Sequence, residues 1–126
     1  TFEELHSAAG VAERVLGEVA MPERQWTVLG VAGTWTSLSA INLRLSAYDR
    51  TLVHHSVIDR RAVDRLVGNL ASLTIEQTAA IPALDPARAP VILAGAIIAR
   101  EAMRTVGASD VISSEHDLLD GLVASM

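Results

Sequence analysis

Val28-Leu29-Gly30-Val31-Ala32-Gly33-Thr34 is the stretch whose reading decides the fold. Trp26-Thr27-Val28-Leu29 reads as a short buried strand, Gly30-Val31-Ala32-Gly33 as a glycine turn, and Thr34 as the opening of a helix to about Leu45. Strand, tight turn and helix in that order are the unit of an α/β domain. Glycine lets a backbone approach a ligand closely and adopt dihedrals closed to other residues. The free amides at the start of the next helix favour an anion, with phosphate the natural guest. Gly30, Ala32, Gly33 and Thr34 are therefore the candidate phosphate-binding residues. The spacing is neither a Walker loop nor a dinucleotide fingerprint, so an ordinary strand-to-helix turn accounts for it equally well.

Outward from this turn, strands and helices alternate. On the N-terminal side, Phe2, Leu5, Ala9, Ala12, Leu16 and Val19 recur at spacings of three and four, which predicts a helix over Thr1 to Val19. Thr1 and Glu4 have capping-box spacing, and Met21-Pro22-Glu23-Arg24 breaks the pattern. On the C-terminal side, Ser46 to Thr51 is a polar loop and Leu52 to Ile58 reads as a second short strand. Asp59 can cap a helix whose stripe is Ala62, Val63, Leu66, Val67 and Leu70. Thr74 with Gln77 is another capping box, and Asp85-Pro86 begins a turn. A long helix runs from near Pro90 to Val106 and stops at Gly107. Its stretch Val91 to Ala99 is apolar all round, as in a helix buried on several sides, and Gly95 permits a neighbour to come close. Val111-Ile112-Ser113 is a last strand and His116 to Ala124 a last helix. The expectation is one helix-rich α/β domain over residues 1–126, with a small sheet and five or six helices.

Composition narrows the function. Half of the 126 residues are hydrophobic but only 3% are aromatic, so Ala, Val, Leu and Ile must build the core. A mean hydropathy of +0.33 is high for a freestanding domain. The apolar runs are too short to span a bilayer, so apolar surface meant for a neighbour is the expected cause. The net charge is -5 with no basic cluster, which argues against nucleic acid. All ten basic side chains are Arg, which excludes a phosphate-loop or Schiff-base lysine. There is no cysteine, hence no thiol chemistry. No signal peptide is visible, which points to the cytoplasm. The chain opens on Thr1 rather than Met, as a domain taken from a longer protein would.

Other chemistry-bearing residues form no complete constellation. His54 and His55 are adjacent, so on a strand they would face opposite ways and could not share a metal. Glu115, His116, Asp117 and Asp120 crowd the start of the last helix. They could hold Mg²⁺ or a water, or simply complement the helix dipole. Glu101 and Arg104, one turn apart, read as a solvated pair. No G-x-S-x-G elbow and no HExxH occurs.

Two stretches together carry a resemblance. One is Leu29-Gly30-Val31-Ala32-Gly33-Thr34-Trp35-Thr36-Ser37-Leu38-Ser39-Ala40. The other is Arg88-Ala89-Pro90-Val91-Ile92-Leu93-Ala94-Gly95-Ala96, followed by Val111-Ile112-Ser113-Ser114-Glu115-His116-Asp117-Leu118-Leu119-Asp120-Gly121-Leu122. Their order and separation resemble the exopolyphosphatase/guanosine pentaphosphate phosphohydrolase family. Tyr48-Asp49, Val53-His54 and Ile81-Pro82-Ala83-Leu84 fit as well. The similarity covers nearly the whole chain.

The resemblance implies a partial ribonuclease-H-like lobe of the actin-like and sugar-kinase architecture. It implies hydrolysis of the terminal phosphoanhydride of polyphosphate, or of guanosine pentaphosphate, with Mg²⁺ in the intact enzyme and phosphates in a cleft between two lobes. Gly30 to Thr34 resembles the turn facing that cleft from the second lobe. The family's catalytic Glu lies in the first lobe, and its second glycine-rich motif would precede Thr1. This chain is thus expected to carry no catalytic residue and no metal ligand, and to be inactive alone. The family often has Arg-Glu-Gly where this chain has Leu119-Asp120-Gly121. An apolar edge left by a missing neighbouring strand implies a homo-oligomer. A non-catalytic interaction module is the alternative from another class.

Overall fold

The computed structural model describes residues 1–19 and 26–126. The expected break at Met21-Pro22-Glu23-Arg24 lies outside the described residues. The first helix, α1, spans Phe2–Leu16, opened by the Thr1–Glu4 capping box. Its half-buried stripe is Leu5, Ala9, Ala12 and Leu16, whereas Phe2 and Val19 at the ends of the expected pattern are exposed.

The first strand is displaced from its expected place. β1 is Leu29–Val31, not Trp26–Leu29. Trp26 is 65% exposed. The reason is pairing, since β1 runs parallel to β3 (Asp110–Ser114) with Leu29 opposite Ile112 and Val31 opposite Ser114. Gly30 therefore belongs to the strand and not to the turn. α2 follows at once as Ala32–Asn42, two residues earlier than expected.

The expected strand over Leu52 to Ile58 is mostly absent. Asp49 accepts from the Thr51 amide at 3.0 Å and starts a single helical turn, α3, over Arg50–Val53. His55 ends it with a φ of 66°. Only Val57–Asp59 is extended, as β2. It pairs antiparallel with β3, giving the order β1-β3-β2 among the described residues. His54 and His55 thus sit in a turn, and their rings stack at 3.8 Å instead of facing opposite ways.

The later helices follow the local signals. Asp59 accepts from the Ala62 amide at 2.7 Å and caps α4, Arg60–Ala71. The residues α4 buries are Ala62, Val63, Leu66, Val67 and Leu70, the stripe seen in the sequence. α5, Ile75–Ala79, has the Thr74–Gln77 capping box. A short 3-10 turn, Pro86–Arg88, precedes α6, Ile92–Val106. α6 ends at Gly107, whose φ of 69° is the left-handed stop that glycine accepts without strain. α7 is Leu118–Ser125.

α2 lies against all three strands, α6 packs on α2 and α4, and α1 covers α6. The core is built from Leu38, Ile58, Val63, Ala96, Met103 and Val111. α6 is less enclosed than its composition implies, because Val91 and Ile98 remain exposed. The opposite correction applies to Glu101. It is buried rather than solvated, and accepts from Arg100 at 3.1 Å and Arg104 at 3.0 Å beside α1. No helix among the described residues is long and apolar enough to cross a membrane.

Candidate functional site

The sheet brings the beginning of α2 and the end of β3 to the same edge, because Val31 pairs with Ser114. A cleft of about 500 Å³ opens there. Its walls are the first turn of α2 (Ala32, Gly33, Thr36, Ser37), the Pro82–Asp85 turn with Arg88, Tyr48, and the segment after β3 that carries Ser114, Glu115 and Asp117.

The four candidate residues divide into two pairs. Ala32 and Gly33 line the cleft. Ala32 has a φ of 67°, a left-handed value that costs a residue with a Cβ roughly 1–2 kcal/mol. The turn's unusual dihedral thus falls on an alanine between the glycines. Gly30 and Thr34 face inward. A Cβ on Gly30 would fall 2.5 Å from the Trp35 ring and 2.8 Å from Val111. Thr34 packs against α6, where a Cβ on Gly95 would lie 2.7 Å from its Oγ1. The close approach expected at Gly95 is real, and its partner is Thr34.

Arg88 belongs to the site, and motif reading gave it no role. Its guanidinium lies directly over Gly33, so that a Cβ on Gly33 would meet Nη1 at 1.9 Å. Among the described residues its guanidinium takes part in no ion pair. The N-cap of α2 is Val31, which offers no side-chain acceptor to the first amides of the helix. An arginine fork beside uncapped amides is an anion-binding arrangement, since both supply donors and positive charge.

The far wall is polar. Tyr48 donates its hydroxyl to the Glu115 carboxylate, and Arg50 stands 3.8 Å from the same group. Burial, then the Glu115 carboxylate, pushes the Tyr48 hydroxyl above its ordinary value, so it stays a donor. Asp117 is committed elsewhere. It accepts from the Leu119 and Asp120 amides as the cap of α7, and Asp120 completes the capping box. The helix-start reading of these carboxylates describes what they do here. Asp85 likewise accepts from the Ala87 amide. No three His, Asp or Glu side chains come together as a metal ligand set among the described residues. The described side chains of this cleft do not by themselves fit a magnesium ion.

Comparison with known proteins shows the family. The chain matches the model of the Ppx/GppA phosphatase family over residues 3–126. It belongs to that family. It is 37% identical over 107 residues to exopolyphosphatase 2 of Mycobacterium tuberculosis, covering 82% of this chain and 33% of that protein. It is 30% identical over 99 residues to a bifunctional 3-dehydroquinate synthase/phosphatase of Fusobacterium nucleatum, covering 78% of this chain and 14% of that one. The crystal structure of the Aquifex aeolicus Ppx/GppA family member superposes with a TM-score of 0.92 at 26% identity, over 99% of this chain and 40% of that one. The chain thus spans about a third of the length of the exopolyphosphatase it matches, and less of the bifunctional protein. The helix-rich α/β architecture is part of a ribonuclease-H-like lobe of the actin-like superfamily, as the sequence resemblance implied.

Proposed function

We propose that the longer protein carrying this chain releases terminal phosphate from inorganic polyphosphate, and that this chain supplies one anion-holding wall of its active site. The observation that carries the reading is the Arg88 guanidinium, seated over Gly33 at the uncapped amino end of α2 on an open cleft. Similarity to an exopolyphosphatase supports it.

In the reaction, water forms a bond to the terminal phosphorus while the bridging P–O bond breaks in line with it. The water's proton is released to solvent or to the departing phosphate. Negative charge spreads over the phosphate oxygens, and fixed donors aimed at that charge lower the barrier. Arg88 would hold one phosphate bidentately, and the Ala32–Gly33 turn would bring backbone amides against its neighbour. The reading includes Mg²⁺ in the intact enzyme, as the family implies, held by residues other than those of this cleft wall. Guanosine pentaphosphate offers the same terminal anhydride, and competition between the two substrates separates them. The reading carries with it a cytoplasmic location and a homo-oligomer.

The test is Arg88→Ala in the intact protein, with tripolyphosphate binding by calorimetry and phosphate release from polyphosphate. Removing a charge-assisted hydrogen-bonding group costs about 1.5–3 kcal/mol, so affinity should fall roughly ten- to a hundredfold. Unchanged affinity would refute the assignment.

A further inference from the structure

His54 stands just behind the cleft wall. Its Nδ1 accepts a hydrogen bond from the Glu115 amide at 3.0 Å. An imidazole nitrogen accepts only while it carries no proton. The contact therefore requires a neutral His54 with its proton on Nε2. Glu115 in turn lies on the wall with Ser114 and Asp117.

The surroundings keep this imidazole neutral. His55, from its own turn, stacks on it at 3.8 Å. His116, from the segment after β3, meets it edge-on at 4.9 Å. Arg50 approaches from α3, and among the described residues Glu115 is the one anion that faces it. Loss of solvent around the ring, then the charges that His55 and His116 would carry, hold the imidazole below its ordinary value.

We propose that neutral His54 is a positioning residue for the cleft: its Nδ1 holds the Glu115 backbone, and with it the Ser114–Asp117 wall, in the arrangement that receives the anion. Protonating His54 removes the acceptor and releases the wall. The proposal rests on the phosphate reading above, with His54 acting only through Glu115. The turn does not depend on the ring for its fold. The His55 amide donates to the Ser113 carbonyl at 2.8 Å and the Ser113 amide to the Ser56 carbonyl at 2.9 Å. The pH dependence follows in sign. With the titration depressed, positioning is complete above the ordinary imidazole value of about 6.5 and is lost as pH falls through the lower folded value.

Two variants of the intact protein test this, with inorganic tripolyphosphate as the probe in calorimetry from about pH 5 to pH 8. Asn places an amide oxygen near the position of Nδ1 and does not titrate. His54→Asn should keep the parent's affinity at high pH and lose the extra fall at low pH. Comparing the two profiles cancels the probe's own protonation. His54→Leu should bind roughly two- to tenfold more weakly across the range, the worth of one net hydrogen bond. Identical profiles for parent and His54→Asn, or parental affinity in His54→Leu, overturn the proposal. The Glu115 amide resonance in NMR gives a readout free of ligand. It should move with the His54 titration even if tripolyphosphate fails to bind, which would sink the phosphate reading alone. An amide that ignores that titration overturns the positioning role.

Discussion

Arg88 and Gly33 are packed so closely that a Cβ on Gly33 would lie 1.9 Å from Nη1 and 2.3 Å from Cζ of the guanidinium. The glycine keeps clear the space that the arginine fills. Gly33 is not among the residues with positive φ, so its need for glycine is one of room rather than of dihedral.

Gly33→Ala should therefore spare the fold and spoil the site. The atoms a methyl would meet are the far end of a flexible side chain, which can swing away. Stability should stay within about 0.5 kcal/mol of the parent. Tripolyphosphate affinity should drop roughly tenfold as Arg88 is pushed from its seat. Thermal melts with parallel calorimetry decide the matter. Intact affinity would mean that Arg88 does not hold the anion from this position.

Gly30→Ala should do the reverse. Its Cβ would fall 2.5 and 2.7 Å from Trp35 ring carbons and 2.8 Å from Val111, which is fully buried. Neither neighbour has a free end to retract, and overpacking of this kind costs about 1–3 kcal/mol. Urea denaturation should show the loss, while folded protein keeps the parent's tripolyphosphate affinity. A variant as stable as the parent would show that this edge of the sheet is looser than described.

The 126-residue chain on its own should self-associate. Among the described residues β1 pairs only with β3. Leu29 and Val31 are exposed on it, and α7 presents Leu118 and Val123 at 86% and 71% exposure. A free strand edge invites another chain, and a contiguous apolar patch attracts a partner. Light scattering over a concentration series should show the mass rising, with an apolar dye bound. A clean monomer at high concentration without dye would contradict this.

What could be read in advance was local. The Thr1–Glu4 and Thr74–Gln77 boxes, the Asp59 cap and the Gly107 stop each depend on atoms within four residues of one another. The α4 stripe follows from helical period alone. The turn between β1 and α2 was also visible, along with the chain's resemblance to a phosphatase family.

Tertiary structure decided the rest. β1 begins at Leu29 because Ile112 is its partner, and no window around Trp26 contains that fact. Glu101 is buried because α1 and α4 close over α6, although its spacing to Arg104 is that of a surface pair. Arg88 sits over Gly33, and His54 beneath Glu115, only once the sheet has ordered its strands as β1-β3-β2. Capping and periodicity are short-range and written within a few residues. A site assembled from four distant segments exists only where packing brings those segments together.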